Sequence, residues 1–386
     1  MANAKMAKKI QIHNKSDRPD NVILKENEII EKAEELQKAL PAFLKSFYAY
    51  QKGNVLPMTR LAYLRDILFF CHYLIAESGR TDAKRPADIL ISDFRRVNAK
   101  DVNLFLDYCR RYKVETEKTV YIYENEKKSL ARKRSSVSVL FKFLYRDELI
   151  PKNITDGFDP IRLPRPGEKE IKALQDDEVM RMLDAVSSGE QLTKKEREFW
   201  EKTRRRDKAI LIFFLTYGLR LSELQQLNLT SFNFSRGEFI IYRKRGKESV
   251  MPLNKSALKA LREYIDEERP GELSLGDEER DALFLSLQSR RMTERQIRQL
   301  VKKYTSIALE TSRDAGYSPH KLRATAATSL IGRGNSIFDV AALLDHENVT
   351  TTQLYAAHRK NVKRDLVNDM EWETEFDGPD APPRHE

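Results

Sequence analysis

Four short stretches hold polar residues whose types and spacing suit work on a phosphate group. In Thr216–Leu224 (TYGLRLSEL), Arg220 emerges two residues after Gly218, a residue that should end or bend the preceding apolar helix. A partly buried guanidinium wants a bidentate acceptor, either a carboxylate or a phosphate. Glu223 lies three residues on and supplies a carboxylate, so taken alone this stretch reads first as a structural ion pair. In Ser318–Arg323 (SPHKLR), His320 and Arg323 are spaced i, i+3 and would share one helix face. Two donors on one face suit a phosphate, and a surface helix start accounts for them equally. His346 follows an apolar helix end in LLDHENVTTTQLY, with Tyr355 nine residues later. A lone tyrosine on an amphipathic helix is more often core than catalyst. Between two β-like runs, the polar turn Arg243–Glu248 carries Arg243, Lys244, Arg245 and Lys247.

A fifth stretch is basic rather than catalytic. Residues 127–152 hold eight Lys or Arg against two acids. On a helix, Arg132, Arg134 and Lys142 can lie away from Leu140 and Leu144 and track phosphates, with Lys133 between them. A solvated helix face explains the run as well. The whole chain carries 69 Lys and Arg against 59 Asp and Glu, a net of +10. The segment Glu371–Glu386 holds six acids and one arginine, so the remaining residues carry +15. A basic surplus on a folded body suits a polyanion, most simply nucleic acid.

The elements that must position these groups follow from pattern. A chain of 386 residues suggests two or three domains at roughly 150 residues each. Residues 1–30 are polar without sustained apolar period, and we expect a flexible extension there. Leu40, Phe43, Leu44 and Phe47 are spaced to make one helix face. Thr59 can cap a helix with Leu61, Leu64, Leu68 and Cys71; Asn98 or Asp101 opens a third and Ser129 or Ala131 a fourth. This predicts an all-helical unit over 31–160. Pro151, Pro160, Pro164, Pro166 and Gly167 then punctuate the chain, so a linker is expected over 161–172. A second unit over 173–370 is predicted to be α-rich with a small antiparallel sheet. Its helices are expected at Glu178–Val186, Asp207–Tyr217, Ser256–Glu267, Thr293–Ala308, His320–Gly332, Ile337–Leu344 and Thr350–His358. A hairpin joins Glu238–Tyr242 to Ser249–Leu253, and Ser187–Arg206 reads as a polar stretch. Residues 371–386 read as an acidic disordered tail.

Several classes are disfavoured. The longest apolar run, Ala209–Tyr217, is nine residues, short of the roughly 20 a membrane span needs. The N-terminal residues show no signal-peptide pattern. Two cysteines, Cys71 and Cys109, cannot make a disulfide scaffold or a four-cysteine zinc site, which points to a reducing, cytoplasmic compartment.

Each stretch alone is weak; their order and spacing together are specific. TYGLRLSEL, YRKRGKESVMPL (Tyr242–Leu253), HKLRATAATSLI (His320–Ile331) and LLDHENVTTTQLYAAH (Leu343–His358) resemble, in order, the four catalytic stretches of the tyrosine recombinase (phage integrase) family. That family joins bacterial Xer-type recombinases with phage and transposon integrases. The likeness covers roughly residues 36–370. It includes Ser129–Ile150, similar to the last helices of the family's SAM-like core-binding domain. The resemblance implies a mainly α fold with that domain followed by the recombinase catalytic fold. It implies catalytic roles for Arg220, Lys244, His320, Arg323, His346 and the nucleophile Tyr355, with Glu223 orienting Arg220. Lys247 is the rival for the lysine role; aligning Pro252–Leu253 without a gap favours Lys244. Arg132, Lys133, Arg134, Lys142, Arg243, Arg245 and Lys247 would contact DNA. Two departures stand out. Asp345 replaces the glycine usual before the late histidine, and its carboxylate either raises the pKa of His346 or bonds locally. Ala324 and Ala326 replace a common histidine and phenylalanine.

The implied activity is site-specific recombination of double-stranded DNA through a 3′-phosphotyrosyl link, by a tetramer on paired inverted repeats in the nucleoid. The helix Asn361–Met370, with Val362, Leu366 and Val367, would dock on a neighbouring protomer, although packing on its own domain explains the same residues. No metal, ATP or other cofactor is implied, since arginines would serve the phosphate and no Gly-rich phosphate loop is present. The short N-terminal extension leaves little room for an arm-binding domain, which favours a simple recombinase. A type IB topoisomerase and a catalytically silent DNA-binding regulator are the alternatives.

Overall fold

The computed structural model describes residues 18–163, 171–243, 246–277, 279–346 and 352–353. The chain forms two compact units, one of Met1–Pro164 with Tyr242–Ser249, the other of Arg165–Ile241 with Val250–Glu386. The predicted helix Thr350–His358, the helix Asn361–Met370 and the acidic tail lie outside the described residues, apart from 352 and 353.

The first unit is built on α1 (Asp20–Lys38), α2 (Lys45–Asn54), α3 (Pro57–Ala76), α4 (Ile91–Arg96), α5 (Ala99–Tyr108) and α6 (Lys127–Arg146), with a β1–β2 ribbon (Arg111–Glu115, Val120–Glu124) between the last two. In α3, Leu61, Leu64, Ile67, Phe70, Cys71 and Leu74 recur at helical spacing and are buried. In α6, Leu130, Val137, Leu140, Phe141 and Leu144 do the same. Asn98 caps α5, its side chain accepting from the N–H groups of Lys100 and Asp101.

Three expectations change here. Residues 20–30, expected within a flexible extension, are the first part of helix α1, which buries Ala33 and packs Ile29 and Leu36 against the core. Leu40, Phe43, Leu44 and Phe47 do not share one helix: Pro41 opens a 3-10 turn over Ala42–Leu44, and α2 starts at Lys45. The first unit is not all-helical, because the β1–β2 ribbon pairs Arg111↔Glu124 through Glu115↔Val120.

The second unit contains α7 (Asp176–Ser188), α8 (Lys194–Trp200), α9 (Arg204–Tyr217), α10 (Leu221–Gln225), most of a sheet β3–β4–β5 (Phe232–Asn233, Glu238–Tyr242, Glu248–Pro252) whose tip Tyr242–Ser249 is grouped with the first unit, α11 (Lys255–Glu267), α12 (Glu294–Ala308), α13 (Pro319–Gly332) and α14 (Ile337–Leu344). The sheet is the predicted hairpin with one short strand added. Its Phe239 and Ile241 alternate inward. The apolar helix α9 lies against α11 and α13 and is buried along Ala209–Leu211 and Phe213–Phe214. The stretch expected as merely polar, 187–206, contains α8, capped by Thr193 with Glu196 reciprocating. No helix among the described residues is long and apolar enough to cross a membrane.

Candidate active site

The site gathers where three helices of the second unit end or begin. Helix α9 stops at Gly218, whose φ is +55° and whose N–H donates to the Phe214 carbonyl at 3.0 Å. The left-handed backbone is what calls for glycine; a Cβ at 218 would also sit 2.5 Å from Leu344 Cδ2 and push that methyl aside. Two residues later the chain enters α10 with Arg220 at its N-cap. Buried Glu223 takes the Arg220 backbone N–H on Oε2 at 2.8 Å and its guanidinium on Oε1 at 2.7 Å. The carboxylate therefore fixes both the turn and the direction of the side chain. The structural ion pair suggested by the sequence exists, and it holds Arg220 in place while leaving it about one-third exposed.

Arg323 comes from the second turn of α13 and is only 4% exposed. It donates to the carbonyl of Gly218 at 2.6 Å and to that of Leu344. Arg220 donates to the next carbonyl, Asp345 O, at 3.0 Å. The last carbonyls of α14 are thus held by two guanidiniums, which complements the negative end of that helix. Asp345 itself is left-handed, with φ +52°, and ends α14 while its N–H reaches Ala342 O at 3.1 Å. This explains the glycine usual at the position: the backbone needs the left-handed region, which aspartate tolerates better than most residues. Of the two roles open to the Asp345 carboxylate, the local one is met, with Oδ2 3.7 Å from Arg220.

His346 follows, half-buried, with Nδ1 2.8 Å from the hydroxyl of the fully buried Thr352. Burial, then the positive charges of Arg323 and Arg220, then His320, push its pKa down to about 4; the upward pull of Asp345 is outweighed. The ring is neutral at pH 7. A histidine in an unfolded chain titrates near 6.5. Between about pH 6.5 and 4 the unfolded chain therefore binds the extra proton, so the stability from His346 is complete above about 6.5 and is lost as pH falls. Urea-unfolding midpoints measured from pH 7.5 to 4.5 should drop more steeply for the wild type than for His346→Gln; parallel curves would contradict this.

His320 is exposed at the start of α13, one turn before Arg323. Arg220, His320, Arg323 and His346, spread over 127 positions, thus meet electrostatically around one helix end. Lys244, Arg245 and Tyr355 lie outside the described residues. Thr352 was not found from the sequence, because three consecutive threonines give no sign of which one faces inward. The carbonyls of Leu344 and Asp345 carry no side-chain signal at all.

The residues expected on DNA divide. Lys133 is 8% exposed; its ammonium lies 3.3 Å from buried Asp66 and 4.7 Å from the Phe69 ring centroid, a core role that turns it away from any outer face. Arg132 also reaches Asp66 while its side chain stays partly exposed. Arg134 donates to the carbonyls of Asp159 at 2.8 Å and Phe158 at 3.1 Å. Lys142 is exposed. In the hairpin turn Arg243 is buried and its N–H donates to Lys247 O at 2.8 Å, whereas the Lys247 side chain is exposed.

Comparison with known proteins places the chain in a family. The phage integrase family matches residues 172–362. Tyrosine recombinase XerC of Alcanivorax borkumensis is 34% identical over 59% of this chain and 68% of its own. XerC of Caldanaerobacter subterraneus is 30% identical over 81% of both chains. Among solved structures, XerH site-specific recombinase bound to palindromic difH substrate gives a TM-score of 0.59 at 18% identity, covering 90% of this chain and 89% of that one. A lambda integrase dimer bound to a COC′ core site gives 0.53 at 14%, covering 85% and 96%. The fold is that of the tyrosine recombinases. The chain belongs to the phage integrase family and is a tyrosine site-specific recombinase.

Proposed function

We propose that the protein cuts and rejoins double-stranded DNA at paired inverted-repeat sites through a 3′-phosphotyrosyl intermediate, as a homotetramer in the nucleoid. The observation that carries this reading is the convergence of Arg220, Arg323 and His346 on the end of α14. Guanidinium forks suit the non-bridging oxygens of a phosphodiester, whose charge grows as a fifth oxygen approaches. The Tyr355 hydroxyl attacks phosphorus and its proton passes to His320, because a free phenol titrates near 10 and needs a base. The bond to the 5′-oxygen breaks, and Lys244 gives that oxygen a proton; an arginine could not. If the Thr352 hydroxyl donates to Nδ1 of neutral His346, Nε2 carries the proton and becomes a third donor to the phosphate. The covalent link preserves the bond energy, so rejoining is the reverse attack by a 5′-hydroxyl.

Lys142, Lys247, Arg245 and the exposed part of Arg132 are the cations we assign to phosphates, with the segment Asn361–Met370, expected from its sequence to be helical, docking between protomers. With about 8 phosphate contacts, log K for DNA should fall against log salt with a slope near −7. A slope near zero would remove the charge argument. The deciding experiment is covalent capture: protein incubated with fragmented DNA, denatured, and the bound DNA sequenced. A protein–DNA adduct at a repeated, palindromic sequence supports the reading; DNA retained only without denaturation defeats it.

A further inference from the structure

The β1–β2 ribbon is a two-stranded sheet in which no residue of β2 is buried. Val120, Tyr121, Ile122 and Tyr123 are consecutive and each is between 45% and 53% exposed. The ribbon is nevertheless ordered at its root, where Tyr112 stacks on Tyr123 at 5.1 Å and on Tyr108 at 5.6 Å and meets Phe69 at 5.1 Å. Its two edges differ. The Thr116 N–H donates to Thr119 O and the Asn125 N–H to Arg110 O. Alternation between these bonds turns the main-chain groups of 119, 121, 123 and 125 toward β1 and those of 120, 122 and 124 outward. By the same count β1 presents outward Arg111, Lys113 and Glu115, all charged, which guards an edge. The outward residues of β2 are Val120, Ile122 and Glu124, so its edge is open to another strand.

We propose that this edge is a self-association surface: two copies of the chain pair β2 with β2, antiparallel, about a two-fold axis at Tyr121, to make a four-stranded sheet. The register follows from the sequence. Outward-facing residues must meet outward-facing residues. Centring on Tyr121 sets Val120 against Ile122, Thr119 against Tyr123, and Lys118 against Glu124, so apolar meets apolar and cation meets anion on both sides of the axis. Centring on Val120 sets Ile122 against Lys118 and Tyr123 against Glu117; centring on Ile122 sets Val120 against Glu124. DNA is a poorer occupant, because residues 110–126 carry four cations and four acids and so offer a polyanion no net attraction.

The test is sedimentation equilibrium of the full chain without DNA. The wild type dimerises, and Ile122→Lys, at a solvent-exposed position, is monomeric. Lys118→Glu sets like charges opposite each other twice and raises the dimer Kd about tenfold. The double exchange Lys118→Glu with Glu124→Lys returns the Kd to the wild-type range. Tyr121→Cys forms an intermolecular disulfide on the axis, while Thr119→Cys, displaced from it, does not. A wild type monomeric at all concentrations, a dimer indifferent to Ile122→Lys, or a double exchange no better than Lys118→Glu overturns the proposal. So does an Ile122→Lys variant that weakens DNA binding without changing association, which would make the ribbon a DNA contact.

Discussion

Tyr355→Phe should eliminate the covalent protein–DNA adduct while leaving DNA affinity within about twofold. The substitution removes one oxygen, the only atom on that ring able to displace the 5′-oxygen from phosphorus, and leaves the aromatic body for packing. No neighbouring group substitutes well, since the hydroxyls nearby in sequence belong to threonines, with still higher pKa values than a phenol. The measurement is denaturing electrophoresis of protein on a nicked site, where the departing fragment diffuses away and traps the link. An adduct retained by the variant would move the nucleophile elsewhere and take the proposed chemistry with it.

Arg323→Ala should lose cleavage by a factor of about 100 to 1,000, the usual cost of removing one donor to a developing oxyanion. It should also lose stability. Buried Arg323 supplies the hydrogen bonds to Gly218 O and Leu344 O, and a buried acceptor left unpaired costs about 1–3 kcal/mol. The two losses are separable. Arg323→Lys keeps a positive charge without the planar fork, so it should recover part of the thermal stability and little of the cleavage rate. Single-turnover cleavage and thermal unfolding on the same samples give both numbers. A variant that melts early yet cleaves normally would make Arg323 a packing residue only.

Much of the site was legible because its chemistry depends on residue type and interval. Gly218 before Arg220, the three-residue step from His320 to Arg323, and the acid at Glu223 all carry local geometry in their spacing. What escaped depends on partners far along the chain. Lys133 reads as one more cation in a basic helix, and only the fold brings Asp66, 67 positions away, beneath it. The first part of helix α1, residues 20–30, was hidden because the helix fully buries only Ala33. The β1–β2 ribbon buries no face along β2, so RYKVETEKTVYIYE lacks the clean inside–outside alternation that betrays a strand, and its turn carries no Asn-Gly or Asp-Gly. Helix α8 did leave a mark, in the reciprocal Thr193 and Glu196, within a stretch otherwise too polar to stand out.

The grip of Arg220 and Arg323 on carbonyls of residues 345 and 344 has an evolutionary consequence. Main-chain oxygens are present whatever side chain is encoded, so the tether between the guanidiniums and the histidine-bearing segment survives drift at both positions. Only the torsion at 345 is demanding, and aspartate meets it. Lineages can therefore vary the sequence at this junction while the electropositive cradle stays in register.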